Sequence, residues 1–213
     1  MGTPTFSISE ALHFGWRTTR AHFWFFAQVI IIITLVSYGP GLIMQSFDRI
    51  ELPTVVTLFF FLAGIVLWVI QLLISIGLTR IVLGFVDSRK TDIAELFSGA
   101  RFLVNYVLAT FAYALAVAAG FVLLVVPGVI LMVRLQLFSY VIIDKDQGPI
   151  ESLKESWKMT RGAFWHLALL WLAMLGINIL GVIALGIGLL WSIPTTMLAA
   201  GWVYRRLSQR MHA

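Results

Sequence analysis

Arg134 is the residue of this sequence whose position most demands a chemical explanation. It is the one charged side chain inside the long apolar stretches, and all ten Asp and Glu residues fall outside them. Counting back from Asp144 at about 1.5 Å per helical residue places its backbone some 15 Å inside an apolar layer, near the middle of a bilayer. An arginine there costs about 2.5–3.5 kcal/mol to insert, so it must face protein and find acceptors. With no acid at that depth, the partners left are amides and hydroxyls. Gln71 and Thr34 lie at matching depth in their own stretches, and Asn178 is deeper but within reach of a long side chain. These four residues form a candidate site for an anionic group such as a lipid phosphate. Three other roles stay open: Arg134 snorkels toward water, it locks its helix to neighbours, or it moves as a gating charge.

Little else in the sequence could do chemistry. There are no cysteines, no HExxH, no Gly-x-Ser-x-Gly, no phosphate loop and no cluster with metal-ligand spacing. His22 and His166 stand at the starts of apolar stretches, without a neighbouring carboxylate, and read as polar edge residues. No catalytic residue, metal or cofactor is expected, and the protein reads as non-enzymatic.

The elements that must position Arg134 are membrane spans. Of 213 residues, 60% are hydrophobic and 12% charged. The apolar residues come in stretches of roughly 18 to 25, long enough to cross about 30 Å of hydrocarbon. The pattern predicts an all-α polytopic protein of six transmembrane helices. The first covers residues 23–44, loosened by Gly39, Pro40 and Gly41. The second follows Pro53 and runs past Arg80 to residue 86. The third covers 102–125, and Pro127 with Gly128 turns the chain into the fourth, which ends at Ile143. Residues 164–204 must fold back on themselves, at Gly186 and Gly188 or, in competition, at Pro194. On the third span Ala112, Ala116 and Gly120 form a small-residue stripe suited to close helix packing.

Basic residues set the orientation. Arg17 and Arg20, then Arg80, Arg89, Lys90 and Arg101, then Lys145, Lys154, Lys158 and Arg161, and lastly Arg205, Arg206 and Arg210 all fall on one side; of the fifteen Lys and Arg, only Arg49 and Arg134 do not. Cytoplasmic loops carry such an excess, so both termini are cytoplasmic. The net charge of +5 then points to anionic headgroups of membrane lipids as the partner, and not to nucleic acid.

The chain also repeats itself. Glu10, Leu12, Trp16, Thr19, Arg20, Phe23 and Trp24 recur as Glu151, Leu153, Trp157, Thr160, Arg161, Phe164 and Trp165, at a constant offset of 141. Both copies have apolar residues at three-, four- or seven-residue intervals opposite charged ones, the pattern of a helix lying in the interface. Trp16, Trp24, Trp157 and Trp165 would anchor at headgroup depth. A weaker third copy precedes the third span, with Ile93, Leu96, Phe97, Ala100 and Val104 as its stripe and Asp92 as its cap. One membrane domain of three units results, 1–86, 87–143 and 144–213, each an interfacial helix followed by a two-helix hairpin.

Several motifs resemble a known family: FSISEALHFGWR, PGVILMVRLQLFSYVIID, GPIESLKESWKMTRG and the closing GWVYRRL. They look like the glycerophosphoryl diester phosphodiesterase membrane-domain family and the related, uncharacterised YciC-like inner-membrane proteins of bacteria. In the named phosphodiesterases the chemistry belongs to a separate soluble domain, so the resemblance transfers no catalytic residue. It implies a bacterial cytoplasmic membrane. The expected role is non-enzymatic: lipid interaction, or organisation or regulation of the envelope. A small transporter or channel with an anion-binding Arg134 is the alternative, and a homo-oligomer is left open.

Overall fold

The computed structural model describes residues 6–45, 53–184 and 186–211, and they are helical without a strand. Arg49, the basic residue of the opposite loops, lies outside the described residues. Five helical segments among those described are long and apolar enough to cross a membrane: Phe23–Leu42, Thr54–Val86, Ile93–Leu123, Val125–Lys145 and Phe164–Ile183.

The chain opens on the amphipathic helix α1 (Ile8–Ala21), whose Ser7 N-cap accepts a hydrogen bond from the Glu10 N–H. A kink at His22 leads into α2 (Phe23–Gln45), which carries Pro40 inside the helix. Helix α3 (Thr54–Val86) has 33 residues, about 50 Å at about 1.5 Å per residue, so it outruns the hydrocarbon layer. Its apolar first half is exposed, whereas the stretch from Ile81 to Gly84 is buried in protein. Pro53 sits at its N-cap, so the helix follows it directly.

Two expectations need correction here. The third amphipathic stripe forms two 3-10 turns, Ile93–Phe97 and Ala100–Phe102, and no α-helix. Asp92 caps the first turn, accepting from the Ala94 N–H at 2.9 Å, and Leu96 is buried, but Phe97 and Val104 are exposed. The second correction concerns the hairpin of α4 (Leu103–Leu123) and α5 (Val125–Leu135). The chain reverses on the extended residue Leu124 (φ −167°, ψ 157°), and Pro127 and Gly128 lie within the first turn of α5. Proline is tolerated there because the first N–H groups of a helix have no intrahelical partner. Gly128 packs against Gly120, and the Phe121 ring covers it; a side chain on either glycine would overlap the other helix.

The predicted fourth span is two helices, α5 and α6 (Phe138–Lys145), separated by Gln136 and Leu137. The amphipathic helix α7 (Pro149–Met159) precedes α8 (Phe164–Ile183). The chain then turns at Gly186, where φ is +76°, as the glycine reading anticipated, and Pro194 lies inside α9 (Leu189–Arg210). Helix α9 is not among the five apolar segments. It carries Ser192, Thr195 and Thr196 in its first half and Arg205, Arg206 and Arg210 in its last turns. All three hydroxyl residues are buried, together with Leu198, Val203 and Tyr204, so α9 forms the centre around which other helices pack.

The core gathers at the end of the bundle that holds α1 and α7. Phe102, Ile142, Leu167, Tyr204 and Leu207 are almost wholly enclosed there, while Phe59, Phe61, Phe111 and Leu172 stay exposed along the spans, as lipid-facing residues do. The amphipathic helices join this core through small residues. Ala11, Gly15 and Thr19 of α1 are buried at four-residue intervals, and so are Ser152, Ser156 and Thr160 of α7. Gly15 lies so close to the Thr195 carbonyl of α9 that an added Cβ would overlap it. Gly15→Ala is therefore expected to destabilise the protein by about 1–3 kcal/mol through forced displacement of backbone. Gly176→Ala, where nothing lies within 4 Å of the new carbon, is expected to be neutral or slightly stabilising. Thermal unfolding of both variants in one detergent checks the pair.

Candidate functional site

Arg134 stands at the end of α5, where the helix breaks. The break frees the Arg134 carbonyl and the Leu137 N–H from intrahelical bonding, and in an apolar setting both need partners. Helix α7 supplies them. The Ser156 hydroxyl donates to the Arg134 carbonyl at 2.9 Å and accepts from the Leu137 N–H at 3.2 Å. The Thr160 hydroxyl lies 3.1 Å from the same carbonyl. Neither hydroxyl residue is exposed. An ion pair between Lys145 and Glu155 ties the far end of α6 to α7.

The Arg134 guanidinium lies over the Trp157 ring, 4.4 Å from its centroid. This cation–π contact lets an aromatic residue act as the acceptor where no acid is available. The expected amide and hydroxyl partners lie elsewhere. Asn178 donates to Thr196 at 3.4 Å, Thr34 is exposed on α2, and at Gln71 it is the backbone carbonyl that accepts, from the Ser75 hydroxyl one turn on. Among the described residues no hydrogen bond joins any of the three to Arg134, whose buried Nε has no partner.

The four tryptophans divide into two kinds. Trp24 and Trp165 are 78% and 74% exposed, at the starts of α2 and α8. Trp157 packs under Arg134, and Trp16 lies against Trp191, which also stacks on Phe23 at 4.4 Å. The two histidines do not meet: His22 packs edge-on to Phe85, and His166 to Phe6.

A second polar cluster joins three helix ends. Arg205 of α9 forms a two-pronged pair with Asp144 of α6, at 2.9 Å on both prongs, and reaches Asp87 at the end of α3 at 2.6 Å. The Tyr204 hydroxyl donates to the same Asp144 carboxylate at 2.7 Å. The cluster borders a cavity of about 280 Å³ that Arg80 and Arg101 also line. Arg80 is held by Ser98, through its carbonyl at 3.0 Å and its hydroxyl at 2.9 Å. Sequence reasoning passed over this cluster because it looked for charges inside the spans. The available signal was Asp87, Asp144 and Arg205 each closing the second apolar helix of a unit. Among the described residues no group of three or more His, Asp or Glu could hold a metal ion.

A family described as "Protein of unknown function (DUF975)" matches residues 45–211, which take in both clusters. The chain belongs to that family. It is also similar to uncharacterized proteins of Mycobacterium tuberculosis, one of them 25% identical over 231 aligned positions that cover 95% of this chain and 69% of the relative. An uncharacterized protein of Mycobacterium bovis is 24% identical with the same coverage. These relatives are bacterial and uncharacterised, as the motif resemblance implied, and none of them carries a phosphodiesterase name. No solved structure matches the chain.

Three substitutions separate the clusters energetically. Ser156→Ala leaves the Arg134 carbonyl and the Leu137 N–H short of partners, and is expected to cost about 1–3 kcal/mol. Asp144→Asn weakens the partly buried two-pronged pair, for an expected loss of about 1.5–3 kcal/mol. Asp87→Asn, on the side chain that is 42% exposed, should cost less than about 1 kcal/mol. The three unfolding midpoints measured together check the ranking.

Proposed function

We propose that this protein is a non-enzymatic protein of the bacterial inner membrane that binds anionic lipid at the cytoplasmic leaflet and organises the membrane there. The carrying observation is the two-sidedness of α1 and α7. Each buries a face of small and hydroxyl residues in the bundle and turns its cations outward, Arg17 and Arg20 on α1, Lys154 and Lys158 on α7 with Arg161 just beyond it. Such helices hold lipid through apolar anchors and through attraction to anionic headgroups. The exposed Trp24 and Trp165 stand where those anchors belong.

In this reading α9 is a sixth span, its 22 residues reaching about 33 Å and its hydroxyl groups shielded from lipid by the helices around it. Both termini are cytoplasmic. The three-unit reading gains support from matched burial: Ala11, Gly15 and Thr19 correspond to Ser152, Ser156 and Thr160 at the offset of the sequence repeat. It gains more from the docking order. Helix α1 packs on α9, α7 on α4 as well as on α5 and α6, and the 3-10 turn Ile93–Phe97 on α3, where Gly77 meets Leu96. Each leading segment of a unit thus touches the second helix of the unit before it, in cyclic order, and α7 touches the first helix as well.

A second reading, an anion pathway past Arg134, is favoured by polar atoms buried without partners: Arg134 Nε, Gln136 Nε2 and Asn178 Oδ1. Anion flux in proteoliposomes that Arg134→Leu abolishes would favour it over the first reading.

The first reading is tested by the lipid that copurifies with the full chain. Anionic phospholipid is expected to be enriched over its share of the membrane. Replacing Lys154, Lys158 and Arg161 with Gln should cut that enrichment by about fivefold or more, at about 1 kcal/mol per cation near the surface. Retention indifferent to headgroup charge would overturn the proposal.

A further inference from the structure

A crevice of about 620 Å³ opens between α1, the start of α2 and the end of α3. Three cations line it, Arg17 from α1 and Arg89 and Lys90 from the segment after α3, with the hydroxyl-bearing residues Thr18, Ser88 and Thr91 among them. Phe14, Phe25 and Phe85 form its apolar wall, and His22 lies between, its Nδ1 3.2 Å from the Thr18 carbonyl. Among the described residues no carboxylate lines the crevice. Glu95 touches one of its cations, pairing with Arg89 Nη2 at 3.0 Å, and Asp87 is engaged by Arg205. Arg17 and Lys90 make no hydrogen bond or ion pair among the described residues.

The backbone at the crevice is shaped at a cost. Helix α3 ends with the Arg89 N–H bonded to the Gly84 carbonyl at 2.8 Å, a closure that puts Ser88 at φ +55°. Glycine takes that left-handed position most readily. Ser88 is part of the crevice lining at that position, next in sequence to the cations Arg89 and Lys90.

We infer that this crevice is a binding site for the phosphate ester headgroup of an anionic phospholipid. Cations with hydroxyls and no lining carboxylate select an anion rich in acceptor oxygens. The neighbouring cavity at Arg205 is a poorer candidate, because the Asp87 and Asp144 carboxylates line it and occupy the Arg205 guanidinium. The phenylalanine wall decides between sources of the phosphate. A free phosphate would leave Phe25 and Phe85 uncovered, whereas a lipid passes its glycerol and first methylenes along them toward the exposed apolar surface of α2 and α3. The inference rests on the lipid-binding reading above and assigns that reading a place.

The test titrates the purified full chain in detergent with phosphatidylglycerol, with phosphatidylcholine of the same acyl chains, and with glycerol phosphate, reading bound ligand by native mass spectrometry. One phosphatidylglycerol is expected to bind in preference to phosphatidylcholine. Arg17→Gln with Lys90→Gln, both on exposed side chains, should weaken it by about tenfold or more. Removing the same charge at Lys154 and Lys158 should weaken it by less than about threefold. Equal losses in the two double variants would overturn the crevice site and leave the general lipid reading standing. Failure of the unaltered protein to distinguish phosphatidylglycerol from phosphatidylcholine would overturn both. Binding of glycerol phosphate as tight as that of the lipid would overturn the lipid assignment in favour of a soluble phosphate ester.

Discussion

The Arg134 carbonyl and the Leu137 N–H are open backbone groups in a chain whose surroundings offer little water. Apolar solvent does not tolerate such groups, so a broken helix must borrow hydrogen bonds from another element. Ser156 and Thr160 lend theirs, and much of the architecture follows from that loan. It pins α7 against α5 and α6 and brings Trp157 under the Arg134 guanidinium. It also turns Lys154 and Lys158 outward, because one face of a short helix cannot be spent twice. The arginine is thereby part of a joint between a long apolar segment and an amphipathic helix.

The same problem is solved differently on α1. There the partner helix α9 is continuous, and α1 approaches it through the missing side chain of Gly15, with a hydroxyl contact between Thr195 and Thr19 of 3.3 Å one turn further on. Small and hydroxyl residues drive close helix packing where lipid removes the hydrophobic incentive. The Arg205 cluster adds a polar tie across α3, α6 and α9, at the end where the helices leave the apolar layer. Charges are affordable at that level, which is why Asp87, Asp144 and Arg205 sit there while the spans stay almost free of them.

Hydropathy made the long helices legible, and the equal spacing of Trp16, Thr19 and Trp24 with Trp157, Thr160 and Trp165 pointed to two amphipathic helices. Arg134 was legible as a residue needing partners, but the partners were not. Depth matching assumed an unbroken fourth span and hydrogen-bonding acceptors, and the helix break together with an aromatic ring falls outside both assumptions. Pro127 and Gly128 read as a turn because those residue types favour turns. Both are equally at home in the first turn of a helix, and close packing of Gly128 on Gly120 used them there. The stripe from Ile93 to Val104 carried the right residues for a helix, yet Gly77 and Gly99 draw that segment onto α3 as two tight 3-10 turns. Arg205 was counted only as a topology marker, because its partners Asp87 and Asp144 are 118 and 61 residues away in sequence.

The central claim is that α1 and α7 lie docked at one membrane interface with their cationic faces toward the headgroups. The chain has no cysteine, so spin labels attached to single cysteines at positions 13, 154 and 158 report without interference from native thiols. Their accessibility to oxygen and to a water-soluble relaxation agent, measured in bilayers, gives their depth. The account predicts headgroup depth for all three labels, on the same side of the membrane. Labels tumbling freely in water, buried in the hydrocarbon, or divided between the two faces would contradict it.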